Sequence, residues 1–286
     1  MLASLRKLKS FKKENINDFY HDIKEVIIES KAFSNIEYIG IAGSIGRGEK
    51  SIFDDELNDI DFIVVGKIED EKIKSQIEKR LCCITNTEYT DITVINRKLI
   101  NENFSVIHQY LFDFINGNVD IYSSNSLKYE MTKLREKKIR ITRFSIINLF
   151  ITRSFCLDVN ITNNDESYFF RYQLRKVILA YIDSFLIYLG EYKTTTCQKK
   201  IEIVGSKYSN EAWFIDAKYY IENYKNCNYF EMKEFTKSVY KMHSYLIKKE
   251  CKFDIVCILG KLFILPTPQR YQYTIKVFKL LFWRKK

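Results

Sequence analysis

Three aspartates in the first half of the chain have the type and spacing that metal-assisted chemistry needs. Asp59 and Asp61 open the run Asp59-Ile60-Asp61-Phe62-Ile63-Val64-Val65, whose apolar, β-branched character predicts a strand. Residues two apart on a strand share a face, so both carboxylates project to the same place. Like charges that close raise each other's pKa, and a divalent cation with oxygen ligands relieves the repulsion. A third acid, Asp91, lies in a further predicted strand, Tyr89-Thr90-Asp91-Ile92-Thr93-Val94-Ile95. If that strand neighbours the first, the acids form a cradle for two Mg²⁺ ions, as in-line phosphoryl transfer requires. Asp120, between Val119 and Ile121 in a short apolar segment, competes with Asp91 for the third position.

The apolar run Tyr38-Ile39-Gly40-Ile41-Ala42 leads into Gly43-Ser44-Ile45-Gly46-Arg47-Gly48. A triphosphate needs backbone N–H groups at close approach, which glycine permits, and a hydroxyl or cation beside them. Gly43 supplies the turn, and Ser44 and Arg47 are the donors. The run lacks the Lys-Ser/Thr ending of a P-loop, and its glycine spacing does not fit the dinucleotide-binding fingerprint, which removes both of those readings.

The elements that must hold these residues follow from hydrophobic periodicity. Residues Ile16 to Ser30 read as an amphipathic helix with Phe19, Ile23, Val26 and Ile27 on one face. Strands are expected at Tyr38–Ala42 and at Ile60–Val65, the latter stopped by Gly66. A helix over Glu69–Leu81 then leads to the strand at Tyr89–Ile95. A helix over Phe104–Ile115, a turn at Asn116-Gly117-Asn118 and a short strand at Val119–Tyr122 follow. Beyond them, apolar residues recur at helical spacing through Ile141–Leu157, Phe170–Leu189, Trp213–Tyr224 and Phe235–Leu246, which predicts a helical bundle. The expected architecture is α+β: a catalytic domain over 1–125 and a helical domain over 126–286, with the boundary near Ser123 to Lys128.

Gly43-Ser44, a spacer, Asp59-Ile60-Asp61 with apolar residues after it, and Asp91 between Thr90 and Ile92 together resemble the DNA polymerase β nucleotidyltransferase superfamily. The similarity is closest to its minimal and antibiotic-modifying branches and covers roughly residues 35–125. The segment Phe112–Tyr122 is similar to the one that closes the catalytic domain of aminoglycoside nucleotidyltransferases. The resemblance implies a small mixed sheet flanked by helices, a Gly-Ser turn that holds the triphosphate, and Mg²⁺ on Asp59 and Asp61. It also implies a third acid that completes the metal site and serves as general base, and the family order of elements favours Asp91 for it. The implied reaction moves a nucleoside monophosphate from an NTP to an acceptor hydroxyl and releases pyrophosphate. A helical domain that closes over the nucleotide would bring Arg175 and Lys176, with Arg171, to its phosphates; the alternative is a solvated helix face. The spacer before Asp59 is longer than in minimal members and adds Asp54, Asp55 and Glu56, expected as a solvated insertion.

At 286 residues the chain is long enough for two domains. Its 46% hydrophobic and 15% aromatic content, with only two prolines and nine glycines, favours long helices over a turn-rich sandwich. The net charge of +10 is unevenly spread: residues 14–125 are acidic, whereas 2–13 and 126–286 are basic. That division suits metal chemistry in one half and a polyanion held by the other. The acceptor stays open between a small hydroxylated molecule, such as a sugar or antibiotic, and tRNA, another RNA or a protein. Distributed Lys and Arg favour RNA. A non-catalytic nucleotide-binding module is the reading from a different class.

The tail from Tyr273 to Lys286 sets Ile275, Phe278, Leu281 and Phe282 against Lys276, Lys279 and Arg284, a basic amphipathic pattern that suits an anionic membrane or docking onto the bundle. Lys193, Lys199 and Lys200 fall in a loop-like stretch after Gly190. His21, His108 and His243 are too scattered to pair as metal ligands. Seven cysteines without a C-x-x-C pair suggest neither a disulfide scaffold nor a zinc site. No apolar run reaches bilayer length and no secretory leader is recognisable, so the expected location is the cytoplasm.

Overall fold

A strand that is apolar on both faces belongs inside a sheet, and that requirement sets the place of the two paired aspartates. The computed structural model describes residues 16–50, 59–87, 89–100, 103, 105–143, 145–150, 153 and 168–250. The basic N-terminal stretch, the Asp54-Asp55-Glu56 insertion and the tail after 250 lie outside them. The chain divides into two compact units, Met1–Arg140 with Thr194–Thr196 and Ile141–Lys193 with Cys197–Lys286.

In the first unit α1 (Ile16–Ile28) precedes β1 (Phe33–Ile41), a single helical turn α2 (Gly43–Gly46), β2 (Asp59–Ile68), α3 (Glu71–Thr85) and β3 (Tyr89–Ile95). After these come α4 (Gln109–Asn116), β4 (Val119–Ser123) and α5 (Asn125–Glu136). The sheet is mixed, in the order β3-β2-β1-β4. β1 pairs antiparallel with β2, setting Ile41 opposite Phe62, and antiparallel with β4, setting Gly40 opposite Asp120. β2 pairs parallel with β3, setting Asp61 opposite Asp91 and Phe62 opposite Ile92. A parallel pair needs a crossover, and α3 supplies it. The Asp70 carboxylate caps α3 by accepting from the N–H groups of Lys72 and Ile73, and Asn86 ends it in the left-handed region at φ 53°.

One sheet face buries Ile60, Phe62, Val64 and Ile92 against Phe19, Ile23 and Ile27 of α1 and Ile77, Leu81 and Ile84 of α3. The other buries Ile63, Val65, Ile95 and Tyr38 against Leu111, Phe114 and Ile115 of α4 and Leu127, Met131 and Leu134 of α5. Each such side chain contributes roughly 1.5–3 kcal/mol relative to exposure. β2 is therefore apolar on both faces over Phe62–Val65, and Asp59 and Asp61 emerge at its start.

Several boundaries differ from the sequence expectation. β2 continues through Gly66, which does not stop it: a Cβ there would approach the Ser34 carbonyl oxygen to 2.9 Å, so glycine makes room for the register shift in β1 between Ser34 and Tyr38. α4 starts only at Gln109, because the His108 ring accepts from the Tyr110 N–H and caps it there. The boundary expected near Ser123–Lys128 is displaced, because α5 packs into the core of the first unit. The stretch read as a loop around Lys199 and Lys200 is the helix α7 (Cys197–Tyr208).

The second unit contains a helical stretch over 145–150, α6 (Tyr168–Leu189), α7, α8 (Ala212–Asn223) and α9 (Tyr229–Glu250). Lys200 is buried here, with Nζ 2.8 Å from Asp183 Oδ1 and donating to the Tyr192 hydroxyl at 3.3 Å. Among the described residues no helix is long and apolar enough to cross a membrane. His243 of α9 lies 2.8 Å from the Ser184 hydroxyl of α6 and edge-on to Phe150.

Burial pushes the His243 imidazole down to about 3, against a smaller opposing effect of the Ile146 carbonyl. The unfolded chain takes up a proton near pH 6.5 that the folded state refuses, so this contribution is complete above about pH 6.5 and is lost as pH falls toward 3. In urea denaturation, wild type is expected to lose about 1.4 kcal/mol per pH unit below 6.5 relative to His243→Phe. Equal pH slopes for the two proteins would show that the ring is protonated in the fold.

Candidate functional site

The backbone N–H of Ala42 donates to the Asp61 carbonyl at 2.8 Å, and this bond brings the end of β1 beside the start of β2. The chain then turns away at Gly43 with φ 64°, a conformation that L side chains rarely adopt. A methyl group on Gly43 would collide with Asp61 Oδ2. The Asp61 carboxylate thus lies against the glycine backbone, in space that a Cβ at this position would enter.

Asp59 and Asp61 share a sheet face by strand alternation, and Asp91 joins them because its Cα is the direct partner of the Asp61 Cα in the parallel pair. Neighbouring strands lie about 4.8 Å apart, so the Asp61 and Asp91 side chains leave adjacent positions on one face. Asp120 stands one strand beyond β1, opposite Gly40, and its Oδ1 accepts from the Tyr38 hydroxyl at 2.6 Å. Burial, then the Asp120 carboxylate, pushes the Tyr38 phenol far above its ordinary range. Asp120 is accordingly the acceptor of a buried phenol, and Asp91 is the acid in register with Asp61.

Two residues that sequence reasoning missed stand beside Asp91. Glu78 of α3 reaches the edge of β3, where its Oε1 accepts from the Ile92 N–H at 3.0 Å, and its carboxyl hydrogen-bonds Asp91. Lys74, one helical turn earlier, places Nζ 2.6 Å from Glu78 Oε1. Burial raises the Asp91 carboxyl above the usual carboxylate range; the Lys74 charge opposes the rise and Glu78 adds to it. A Lys-x-x-x-Glu pair on a polar helix face reads as a solvated ion pair, and only the crossover brings it to the acids. Tyr89, in register with Asp59 and 64% exposed, is the aromatic residue at the mouth of this face.

The glycine run is more closed than an open phosphate loop. Gly43–Gly46 forms a helical turn, with Gly46 N–H donating to the Ala42 carbonyl at 3.0 Å, and the Ser44 carbonyl accepts from Glu49 N–H at 2.8 Å. Arg47 pairs with Glu49 through NH2 at 3.0 Å. Arg175 and Lys176 belong to the second unit, where Arg175 Nε donates to the Ile221 carbonyl at 3.2 Å and Lys176 Nζ lies over the Tyr172 ring.

The donor chemistry can be tested against a metal. Among the described residues no group of three His, Cys, Asp or Glu is placed to hold an ion, so the acids are not a preformed cage. Mg²⁺ does not demand one: it keeps several waters and binds through one or two carboxylates together with phosphate oxygens. Asp59 and Asp61, hard oxygen donors on one face beside a glycine backbone, fit that mode. Asp91 already hydrogen-bonds Glu78, a contact with which an ion on Asp91 would compete.

Compared with known protein families and curated proteins, the chain matches no family model and no curated protein.

Gly43→Ala is expected to cost about 1–3 kcal/mol for the left-handed backbone, and more for the collision with Asp61. Gly48→Ala, at φ 73° with open space around it, should carry the backbone cost alone. Chemical denaturation of both isolates the Asp61 contact; equal losses would mean that Asp61 swings away freely.

Proposed function

We propose that the chain is a nucleotidyltransferase that moves a nucleoside monophosphate from an NTP to an acceptor hydroxyl. The observation that supports this reading is the acidic face: Asp59 and Asp61 on β2, Asp91 in register with Asp61 on β3, and Gly43 pressed against the Asp61 carboxylate. Acids that share a face in this way suit a cation-bridged polyphosphate, and the glycine lets the Asp61 carboxylate lie close to the turn. On this reading the first unit has the nucleotidyltransferase fold, a finer assignment than the mixed α+β sheet itself.

Asp59 and Asp61 would hold Mg²⁺, which when bound neutralises charge on the triphosphate and supplies electrostatic stabilisation of the transition state. Gly43, Ser44 and Arg47 line the side on which the phosphates lie, and Arg47 exchanges its Glu49 partner for a phosphate oxygen. Asp91 takes the proton from the acceptor hydroxyl. Its raised affinity for a proton suits that role, since a general base works best with a pKa near the operating pH. The acceptor oxygen bonds to the α-phosphorus as the α–β bridging bond breaks, and pyrophosphate leaves with its electron pair. Glu78 and Lys74 position Asp91 without touching substrate.

Calorimetry of each of the four NTPs with Mg²⁺ tests the site. At least one NTP is expected to bind in a metal-dependent manner, with affinity at least about tenfold weaker in Asp61→Asn, a loss of about 1.4 kcal/mol. No binding of any NTP by the wild type, or equal binding by the variant, would sink the assignment.

A further inference from the structure

The start of α6 carries Arg171, Tyr172, Arg175 and Lys176, two residue pairs at four-residue spacing on neighbouring rows of one helix surface. Each cation is set against an aromatic face or a carbonyl. The Arg175 guanidinium lies 5.1 Å from the Tyr224 ring centroid, Lys176 Nζ lies 4.4 Å from that of Tyr172, and the two tyrosine rings are 6.2 Å apart. Arg171 NH1 donates to the Lys225 carbonyl at 2.8 Å, and Arg175 Nε to Ile221.

Capping at the end of α8 accounts for both arginines but not for the whole group. Lys176 and the two tyrosine rings adjoin them without serving those carbonyls. Arg171 Nε, moreover, is a buried N–H with no hydrogen-bond acceptor. A buried donor left unsatisfied costs roughly 1–3 kcal/mol.

We propose that this stripe is a binding site for single-stranded RNA, with phosphates on Arg171, Arg175 and Lys176 and bases against Tyr172 and Tyr224. The chemistry distinguishes the ligand. Isolated phosphate needs cations but not aromatic faces, whereas a single strand offers both charges and unstacked bases, and base–aromatic stacking adds about 1–3 kcal/mol per base. A duplex hides its base faces. The basic excess of the second half of the chain adds long-range attraction of the same sign. This inference stands apart from the nucleotidyl-transfer reading, since it uses only residues of the second unit.

Fluorescence anisotropy of a labelled single-stranded RNA of mixed sequence, titrated with the full chain between about 50 and 200 mM salt, tests it. Wild type is expected to bind with an affinity that falls as salt rises. Arg171→Gln/Lys176→Gln should bind at least tenfold more weakly, with a salt slope reduced by about one per cation removed. Tyr172→Leu should weaken binding without changing the slope, and Arg171→Lys/Lys176→Arg should retain the slope. Circular dichroism melts of each variant separate loss of binding from loss of fold. Absence of binding by wild type at low salt, unchanged affinity in the folded double glutamine variant, or equally tight binding of a duplex would each overturn the proposal. So would loss in the same variants of binding to anionic phospholipid vesicles with no RNA bound by the wild type. Because Mg²⁺ and NTP are absent from these titrations, failure here leaves the calorimetric test of the first unit unaffected.

Discussion

The 2.8 Å bond from the Ala42 N–H to the Asp61 carbonyl fixes the register on which the whole acidic face depends. Strand side chains alternate with a period of two, so a slip of one residue between β1 and β2 would turn Asp59 and Asp61 toward Phe19, Ile23 and Ile27. Two carboxylates cannot enter that layer without losing their charge or the core its packing. The alternative register is therefore closed from both sides. In the register observed, Ile60 and Phe62 are buried, the aspartates emerge, and Gly43 is forced against Asp61. The geometry of the site is a consequence of where the apolar residues must go.

The strands that carry the acids were legible because their patterns are local. Tyr89–Ile95 is bounded as its alternation predicts, and Phe19, Ile23, Val26 and Ile27 are buried on one side of α1. The adjacency of Asp61 and Asp91 was only conditional, since pairing between β2 and β3 is a long-range choice made by the crossover helix. Glu78 and Lys74 were invisible for the same reason: nothing near them in sequence says that their helix runs along an acidic strand edge. Asp120 shows the limit of local pattern, since its short strand setting between Val119 and Ile121 resembles that of Asp91, yet it accepts from a buried phenol contributed by β1. The helix at Cys197–Tyr208 escaped because lysines outnumber apolar residues near its start, and one of those lysines is the buried Lys200. Ion pairing with Asp183 overrides what hydrophobic pattern can express.

The two units manage charge by different means. In the first, carboxylates gather at a sheet end and are tempered by one nearby lysine and by backbone N–H groups. At the start of α6 in the second, Arg171, Arg175 and Lys176 lie on tyrosine rings and helix carbonyls, contacts that hold a cation in place while leaving it positive. Lys200 of α7 is instead a charge withdrawn from solvent. A buried pair of this kind adds little net stability when formed but is costly to break, because removing one partner strands the other. It serves to fix how α6 and α7 meet.

The first unit is not continuous in sequence. After the chain leaves it at Arg140, Thr194–Thr196 returns, and the Thr194 hydroxyl donates to Asp113 Oδ1 at 2.6 Å while its methyl group packs where a side chain on Gly117 would stand. Gly46 in turn abuts the Gly117 carbonyl, so these three residues brace the turn beside Asp61 from a distance of more than fifty positions along the chain. A gene fragment ending at residue 140 would therefore encode every acid of the site and still leave one side of it open. No single cut isolates the first unit, and a short linker in place of residues 141–193, which keeps Thr194–Thr196 attached behind Arg140, is the direct route to it.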